Sequence, residues 1–329
     1  MRALVQKKYG PLSDLRIVEW PKPAPADDAV LIRVRAVGLD PGIWHLMTGR
    51  PLMIRAMGFG FSGPRVPVAG WDAAGVVEAI GAKVTRFKPG DEIFGNCDAT
   101  GTGTLADYAC LPEARCAPKP ANLTLEDASA LAVSGCTALQ CIRDHGHVGD
   151  DSKVLVIGAA GGVGHYAVQI AKTYGATVTG VCSTAKLDFV RGLGADDVID
   201  YTRGPLSASE RRWDVVIDTA GMRGVKELRS VLAPNGVLAI VGGEGGNAWT
   251  GGFIERALAA AIGSLGSRQK LVSVNAKVTE SDLATLKKLV ENGKLKPAIE
   301  QRYPLEQAVT ALETLARGGA RGKSIVVLG

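Results

Sequence analysis

The segment from Val154 to Gly164 has the residue types and the spacing of a phosphate-binding turn. An apolar run typical of a buried strand leads into Gly-Ala-Ala-Gly-Gly-Val-Gly, and a helical pattern follows. In that context Gly161 lets the backbone approach a pyrophosphate, Gly164 lets the helix pack on the strand, and free helix amides receive the anion. Ala159 replaces the first glycine of the usual motif, so a purely structural glycine turn stays an alternative. The predicted contacts are Ala160, Gly161, Gly162 and Val163.

The end of the next strand indicates which dinucleotide binds. Proteins that bind NAD carry an acid about 20 residues past the glycine turn, which accepts a hydrogen bond from the ribose 2′-hydroxyl. Here Ser183, Thr184 and Lys186 offer two hydroxyls and an ammonium group instead. Such a set suits a 2′-phosphate, so we expect NADP(H) rather than NAD(H) as the cofactor. Tyr201, after the following strand, is a second predicted contact; ordinary surface positions for Lys186 and Tyr201 are the alternatives.

Around this turn, apolar strands alternate with helical segments. The pattern predicts helices at 125–143, 162–174, 185–193 and 225–232, and strands at 154–157, 177–182, 198–199, 215–217, 237–241 and 271–274. Strands that are apolar on both faces need helices on both sides of a parallel sheet. The predicted fold class is therefore α/β, with a Rossmann doubly wound parallel sheet domain and a second, β-rich domain.

The segments on either side have a different pattern. Residues 1–120 predict short strands separated by Gly-rich and Pro-rich turns, which suits a small barrel or folded sheet. In the tail, Thr279 and Asp282 form a capping box that opens a helix. Pro304 is placed to open a second helix, and residues 324–328 predict a last strand. The tail is too short to fold alone, so we expect it to pack on the N-terminal domain.

The bulk composition excludes several classes of protein. Hydrophobic residues make up 46% and charged residues 22% of the 329 residues, which is typical of a globular protein with two domains. The net charge is +5, but the sequence contains no basic block, so we expect no nucleic-acid partner. The best candidate for a membrane span, residues 257–265, is too short, and the N-terminus lacks a signal-peptide core, so we expect a cytoplasmic protein without membrane association. The six cysteines form no Cys-x-x-Cys pair and are expected to be free thiols.

Several motifs resemble those of the medium-chain dehydrogenase/reductase superfamily, and most closely its zinc-independent, zeta-crystallin-like quinone oxidoreductase branch. Besides the glycine turn they are Ala36-Val-Gly-Leu-Asp-Pro41, Val68-Ala-Gly-Trp-Asp-Ala-Ala-Gly75, Phe87-Lys-Pro-Gly-Asp91, Gly103-Thr-Leu-Ala-Asp-Tyr108 and Arg321-Gly-Lys323. The resemblance implies a GroES-like catalytic domain split into 1–122 and 277–329, around a Rossmann NADP-binding domain at 123–276. It also implies a homodimer through the edge strand near 271–275. The further cofactor contacts that it implies are Thr137, Thr219, Gly242, Gly243 and Lys323.

The residues at the zinc-ligand positions of this superfamily argue against a metal. Zinc-dependent members have a cysteine where this chain has Asp40, a His-Glu pair where it has Trp71-Asp72, and a further Cys or Asp near Val133. The four-cysteine structural zinc lobe is missing after Phe94. Catalytic zinc needs about three protein ligands, which one or two aspartates do not supply, so no metal is expected.

Without a metal to stabilise an alkoxide, reduction of a small conjugated acceptor is the expected reaction. Hydride from nicotinamide adds to a quinone, or to the β-carbon of an enone or enal, and the charge spreads onto an oxygen that needs hydrogen-bond donors and a proton. Asp40, which replaces an asparagine of the resembling reductases, is a candidate for ribose binding or proton delivery, and His45 for proton delivery. Trp44, Trp71 and Asp72 are the candidate pocket residues. A plain turn aspartate and core tryptophans are the structural alternatives.

Two other functions stay open. One is a zinc-type alcohol dehydrogenase with displaced ligands, for which stoichiometric zinc, lost together with activity, would decide. The other is a non-catalytic, crystallin-like protein that binds NADPH, which an absence of turnover with every acceptor would favour.

Overall fold

The computed structural model describes residues 1–97, 101–208, 210–242, 246–264 and 266–329. They form two compact units: Met1–Cys136 with Val278–Gly329 is the first, and Thr137–Lys277 is the second. The first unit therefore continues past the predicted domain boundary at residue 122, because the short helix that follows this residue packs on strands of the first unit. Gly243, a predicted cofactor contact, lies outside the described residues.

The elements of the described residues are as follows. The strands are β1 (Arg2–Val5), β2 (Arg16–Glu19), β3 (Ala29–Gly38), β4 (Asp72–Ile80), β5 (Glu92–Asn96), β6 (Tyr108–Pro112), β7 (Cys116–Pro118), β8 (Lys153–Ile157), β9 (Thr177–Cys182), β10 (Asp197–Asp200), β11 (Trp213–Asp218), β12 (Leu232–Ile240), β13 (Lys270–Ser273), β14 (Ile299–Pro304) and β15 (Lys323–Val327). The helices are α1 (Pro41–Thr48), α2 (Leu125–Ala128), α3 (Ala132–Gln140), α4 (Gly164–Thr173), α5 (Leu187–Gly192), α6 (Val225–Ser230), α7 (Phe253–Ser264), α8 (Glu280–Glu291) and α9 (Ala308–Ala316). Single π-helical turns lie at Arg55–Phe59 and Cys141–His145, and 3-10 turns at Leu12–Asp14, Glu113–Arg115, Thr184–Lys186, Leu206–Ala208 and Leu305–Gln307.

The second unit contains a six-stranded parallel sheet in the order β10-β9-β8-β11-β12-β13. In chain order this is 3-2-1-4-5-6, the arrangement of a Rossmann fold. Leu155, Val216 and Leu238, from three neighbouring strands, are fully buried in its core. Because the strands are parallel, the turns that follow them meet at one edge of the sheet. The predicted doubly wound α/β class is confirmed.

The first unit is built on a mixed sheet in the order β14-β15-β3-β4-β5-β7, with β6 also paired to β3. Val30 and Ile32 of the long central strand β3 are fully buried in the core. The C-terminal tail supplies β14 and β15, and β15 pairs antiparallel with β3, so the expected return of the tail is confirmed. The capping box is confirmed as well, since Thr279 Oγ1 accepts a hydrogen bond from the Asp282 amide at 3.3 Å. Through β15 the tail brings Lys323 into this unit.

Three elements differ from the sequence prediction. The helix expected over 125–143 is broken into α2, α3 and a π-helical turn, because the Ser129 hydroxyl turns back to the Glu126 carbonyl oxygen. Pro304 ends β14 instead of opening a helix, and α9 begins only at Ala308, after a 3-10 turn. Helix α7 lies outside the prediction because its exposed face is apolar, without the polar stripe of a surface helix.

Candidate active site

Asp40 lies where β3 turns into α1. It is the N-cap of this helix, and its Oδ1 accepts a hydrogen bond from the Gly42 amide at 2.9 Å. Its Oδ2 accepts a hydrogen bond from the indole Nε1 of Trp71. The residue is only 6% exposed. Asp40 is therefore a desolvated carboxyl group as well as a turn residue.

Asp72 is the first residue of β4 and is fully buried. Its Oδ1 accepts a hydrogen bond from the Asn96 side-chain amide at 2.9 Å, and its Oδ2 accepts one from the Val133 backbone amide at 2.9 Å. Val133 lies in the first turn of α3, where the helix dipole favours an anion. Asn96 is a site residue that the sequence analysis missed. The antiparallel register of β4 and β5, which no sequence spacing reveals, places it opposite Asp72.

Lys323 begins β15 and is only 2% exposed. Its Nζ donates a hydrogen bond to Ser134 Oγ at 3.1 Å. Ser134 follows Val133, so the first turn of α3 holds Asp72 through one residue and Lys323 through the next. The phosphate contact that the resemblance implied for Lys323 requires an accessible ammonium group. The buried position of Lys323 in this structure does not provide one.

Burial dominates the electrostatics of the two carboxyl groups. Burial, with a smaller contribution from the Asp40 carboxylate, raises the pKa of Asp72 to about 7, against the lowering effects of Lys323 and two hydrogen-bond donors. Burial also raises the pKa of Asp40, against the lowering effects of Lys323, the Trp71 indole and, more weakly, His45. Two carboxyl groups coupled in this way titrate as a pair. The pair therefore retains a proton close to neutral pH.

Trp71 also lines an apolar pocket of the first unit. The other walls come from α1, the π-helical turn at Arg55–Phe59 and the segment before β4, and include Ile43, Phe59 and Val68. The indole ring of Trp71 thus faces apolar side chains while its N–H group bonds a carboxyl oxygen. Through this tryptophan the pocket is linked to Asp40.

His45 and Trp44 lie on α1, beyond Asp40. The Nδ1 atom of His45 is 2.8 Å from the Arg50 carbonyl oxygen, and because a carbonyl oxygen only accepts, we assign a ring hydrogen to Nδ1. The ring centroids of Trp44 and His45 are 3.7 Å apart, and Trp44 packs against the hydrophobic core. The structure thus places His45 in the electrostatic environment of Asp40, whereas Trp44 has contacts of the core type.

The glycine turn of the second unit joins β8 to α4. A Cβ atom on Gly164 would lie 2.1 Å from the Gly158 carbonyl oxygen, so only glycine lets the helix approach the turn this closely. A Cβ atom on Gly161 would meet only the Gly158 carbonyl oxygen, at 3.3 Å, within the described residues. The turn therefore leaves open the side on which a pyrophosphate would lie. The other predicted contacts of the turn are Ala160, Gly162 and Val163.

Two further loops lie at the same edge of the sheet. Thr219, after β11, donates its hydroxyl to the Ile157 carbonyl oxygen at 2.8 Å, and a Cβ atom on Gly158 would lie 2.6 Å from Thr219 Oγ1. Gly242 follows β12, and a Cβ atom there would lie 2.8 Å from the Thr219 carbonyl oxygen. The structure therefore brings Thr219 and Gly242 to the glycine turn. Thr137 is buried at the start of the second unit.

Asp218 and Arg256 form a buried ion pair that the sequence analysis missed. Arg256 of α7 donates from Nη2 to Asp218 Oδ2 and from Nη1 to the Gly221 carbonyl oxygen, the latter at 3.2 Å. Asp218 also accepts a hydrogen bond from the Gly221 amide at 3.3 Å. These contacts fix the loop that carries Thr219. The apolar sequence of α7 gave no sign that its one arginine has this role.

The residues predicted to bind a 2′-phosphate lie where β9 and β10 end. Ser183 and Lys186 are half-buried, Thr184 is exposed, and Tyr201 is 50% exposed. The structure therefore brings these four residues to one region of the sheet edge, with two hydroxyls, a phenol and an ammonium group.

A carboxylate, Asp200, lies within this group. The Thr184 hydroxyl donates a hydrogen bond to Asp200 Oδ2 at 2.5 Å. Hydrogen bonds from Thr184 and Thr202 lower the pKa of Asp200, so it is ionised at neutral pH. The sequence analysis found no acid here because Asp200 belongs to the next strand. It reaches the end of β9 only through the parallel pairing of Asp200 with Cys182.

Within the described ranges, no group of three or more His, Cys, Asp or Glu side chains is arranged to hold a metal ion. Asp40 and Asp72 already accept two hydrogen bonds each. Catalysis without zinc stays a prediction, tested below.

Comparisons with known proteins define the class to which this fold and site belong. One family model, described as an alcohol dehydrogenase GroES-like domain, matches residues 26–121, and another, described as a zinc-binding dehydrogenase, matches residues 193–326. The chain belongs to the medium-chain dehydrogenase/reductase superfamily. It is an oxidoreductase of a kind that uses a nicotinamide cofactor.

The relatives are of several kinds. The chloroplast envelope quinone oxidoreductase homolog of Arabidopsis thaliana is 31% identical, over 99% of this chain and 98% of the relative. The 2-methylene-furan-3-one reductase of Solanum lycopersicum is 31% identical, over 99% of this chain and 79% of the relative. The crystal structure of an NAD-dependent alcohol dehydrogenase matches with a TM-score of 0.84 at 29% identity, covering 100% of both chains. The chain is thus similar both to reductases and to an alcohol dehydrogenase.

No helix in the described part of the chain is long and apolar enough to cross a membrane. The predicted cytoplasmic location stays a prediction, because the Arabidopsis relative is named for the chloroplast envelope. The predicted absence of a nucleic-acid partner also stays a prediction.

Proposed function

We propose that this oxidoreductase uses NADPH to reduce quinones or α,β-unsaturated carbonyl compounds, by hydride transfer without a metal ion. The observation that carries the proposal is the Asp40 carboxyl group, which is buried and bonded to a tryptophan that lines an apolar pocket. A conjugated acceptor needs an apolar site for its ring or alkene and a proton for its oxygen. Asp40, Trp71 and the pocket supply both.

The glycine turn supports the assignment of a dinucleotide. The side of Gly161 that is open to a Cβ atom, and the amides that begin α4, suit a pyrophosphate. When bound, NADPH supplies the hydride. The residues proposed to hold it are Ala160, Gly161, Gly162, Val163, Thr219 and Gly242, with Thr137 and Gly243 carried over from the family resemblance.

The preference for NADPH rests on Ser183, Thr184, Lys186 and Tyr201. Their hydroxyl and ammonium groups match the acceptor oxygens and the charge of a 2′-phosphate. Asp200 opposes this preference, because its carboxylate repels a phosphate and already holds the Thr184 hydroxyl. We therefore propose a moderate preference for NADPH, set by the balance between Lys186 and Asp200.

The proposed reaction divides the work among residues of the first unit. The pocket beside Trp71 binds the acceptor and excludes water from its conjugated system. Once hydride has added to the acceptor, the Asp40 carboxyl group gives its proton to the acceptor oxygen, and a solvent proton replaces it. His45, whose charge influences Asp40, is the second candidate donor.

We also propose a homodimer through the outer edge of β13. This strand ends the parallel sheet, so one of its edges is unpaired within the described residues. Beside it, α7 exposes Ile254, Leu258 and Ile262, which are 41%, 56% and 67% exposed and lie four residues apart. A second copy related by a two-fold axis would extend the sheet and cover this apolar face. A monomer in sedimentation equilibrium would refute the dimer.

An acceptor screen tests the proposed function. The rate of NADPH oxidation would be measured with quinones, enones, enals and 2-alkenoyl thioesters, and each rate would be compared with that of NADH. We expect turnover with at least one conjugated class, and about a 100-fold lower kcat in Asp40→Ala, within the usual contribution of a general acid. NADPH binding should be unchanged in this variant. NADPH binding without any turnover would favour the non-catalytic alternative.

A further inference from the structure

Lys323, Asp40 and Asp72 form a cluster of three ionisable side chains that are almost completely buried in the first unit, at 2%, 6% and 0% exposure. Lys323 Nζ donates a hydrogen bond to Ser134 Oγ, and the amide of the neighbouring Val133 donates one to Asp72 Oδ2, so one helix turn holds both the ammonium group and this carboxyl group. The charge of Lys323 also lowers the pKa of both carboxyl groups. The three residues come from β15, the β3–α1 turn and β4, which are far apart in sequence. The tail strand β15 therefore places a cation in a site that the N-terminal part supplies with two acids.

The charge count of this cluster limits its protonation. With every group ionised, the buried site would carry two negative charges and one positive charge. An uncompensated buried charge is costly, and it is removed most easily when one carboxyl group keeps a proton. With the ammonium group present, one proton on the carboxyl pair gives a neutral site. Without it, two protons would be needed.

We infer that Lys323 is a positioning residue for proton transfer: its buried ammonium group keeps one charge on the Asp40–Asp72 pair and leaves the pair with a single transferable proton. This role rests on the proposed function for its chemistry, although the electrostatic part stands without it. It also replaces the phosphate contact that the family resemblance implied for this lysine.

The other groups around the pair fix where the charges sit. Asp40 faces the Trp71 indole, the Gly42 amide and His45, the last on α1. Asp72 faces the Val133 amide and Asn96.

One more cationic side chain, Arg115, lies next to Asn96. Asn96 Oδ1 accepts a hydrogen bond from Arg115 Nη1 at 3.4 Å, so the Asn96 amide links this arginine to Asp72. Of the described cationic side chains named here, Lys323 is the one that lowers the pKa of both carboxyl groups.

The proton balance of the proposed reaction uses this cluster. Hydride addition leaves an enolate or a phenolate-type oxygen, which takes the proton of the pair as its new O–H bond forms. The pair then carries two negative charges beside one ammonium group, a state that takes up a proton from solvent and restores the starting form. In this proposal Lys323 acts through the carboxyl groups and not as a donor.

The first test is the pH profile of kcat in wild type, Lys323→Met and Lys323→Arg. At high pH the pair loses its proton and kcat falls. Removal of the ammonium group raises the pKa at which the pair loses this proton. The fall of kcat at high pH, which is the alkaline limb of the profile, should therefore move up by about one pH unit or more in Lys323→Met. Lys323→Arg, which keeps the charge, should restore the wild-type limb. A purely structural lysine would lower the melting temperature or kcat without moving the limb, and that result would overturn the inference.

Asp72→Asn provides the opposite shift and protects the test against misfolding of Lys323→Met. Asn keeps the size of Asp72 but removes one of two like charges; the Asp40 charge raises the pKa of Asp72, and repulsion between two carboxylates acts on both. The alkaline limb should therefore move to lower pH. A limb that stays in place, or moves up, in Asp72→Asn would contradict the shared-proton arrangement.

The second test needs no cofactor or acceptor. A carboxyl group whose pKa is higher in the folded state stabilises the folded protein at low pH, and Asp72 loses this contribution as pH rises from 3.8 through about 7. In Lys323→Met the loss should extend to higher pH. Urea unfolding at pH 6 and pH 9 should therefore show a larger fall in unfolding free energy for Lys323→Met than for wild type or Lys323→Arg.

The two tests separate the inference from the proposed function. If wild type reduces no acceptor but the unfolding data follow this pattern, the proposed function fails and the charge arrangement stands. If wild type is active but all three proteins share one pH dependence in both tests, the inference alone fails.

Discussion

Trp71 donates its indole N–H group to Asp40 Oδ2, and this contact joins the apolar pocket to the buried carboxyl pair. The family resemblance implies that zinc-dependent members have a ligand histidine at the position of Trp71 and a ligand cysteine at the position of Asp40. In this chain the two positions form a hydrogen bond with each other. We therefore expect a hydrogen-bond donor and an acid at these positions instead of two metal ligands.

Trp71→Phe tests this relationship. The indole N–H group favours the ionised form of Asp40, so its removal should raise the pKa of that carboxyl group. The alkaline limb of kcat should then move up by about half a pH unit or more. Trp44→Phe is the matched control, because Trp44 packs on the core and its variant should leave the limb in place. A limb unchanged in both variants would mean that Asp40 does not supply the proton.

Gly161→Ala and Gly164→Ala separate cofactor binding from folding. The new Cβ atom of Gly161→Ala lies in open space apart from one contact of 3.3 Å, so the free energy of unfolding should hardly change while NADPH affinity falls about tenfold or more. In Gly164→Ala the Cβ atom would lie 2.1 Å from a backbone oxygen, so the unfolding free energy itself should fall. Urea unfolding and fluorescence titration with NADPH check both. Unchanged NADPH affinity in a folded Gly161→Ala protein would place the dinucleotide elsewhere.

Lys186→Ala tests the assignment of the 2′-phosphate. Loss of an ammonium group facing a phosphate should weaken NADPH binding about tenfold or more and leave NADH binding nearly unchanged. Lys153→Ala, at the opposite end of the parallel sheet, makes the same change in charge and should affect neither cofactor. Equal losses for both cofactors in Lys186→Ala would show that Lys186 does not contact the 2′-phosphate.

Asp200→Asn tests whether the charge of the Asp200 carboxylate opposes NADPH binding. Asn keeps an acceptor for the Thr184 hydroxyl but removes the negative charge that repels a phosphate. The ratio of NADPH to NADH affinity should rise several-fold, measured by titration of both cofactors against the wild type. A fall in that ratio would mean that Asp200 helps NADPH binding, and the proposed balance with Lys186 would be wrong.

The sequence predicted the elements whose signals are local. The glycine turn, the capping box at Thr279 and the strand at 177–182 depend on neighbouring residues, and each has its predicted form. The structure adds contacts that depend on the pairing of strands distant in sequence. Asp200 meets Thr184 through strand pairing, and Lys323 reaches the carboxyl pair because the tail strand pairs with β3. No spacing along the chain encodes these contacts.

The two carboxyl groups illustrate the same limit in chemical terms. The sequence identified Asp40 and Asp72 as replacements of zinc ligands. Their raised pKa values come from burial, which depends on the packing of β4, β15 and α3 around them. Aspartates are mostly exposed in folded proteins, so composition and periodicity do not predict that these two are buried.

Metal-free hydride transfer to the β-carbon can be followed with NADPH that carries deuterium at the transferable C4 position, an enone found by the acceptor screen, and protein shown by elemental analysis to be free of zinc. Mass spectrometry and NMR of the product would locate the label. We expect full activity without metal, a saturated ketone, and deuterium on its β-carbon. Deuterium on the carbinol carbon of an alcohol product, or activity that appears only with stoichiometric zinc, would rule out metal-free reduction of the conjugated bond.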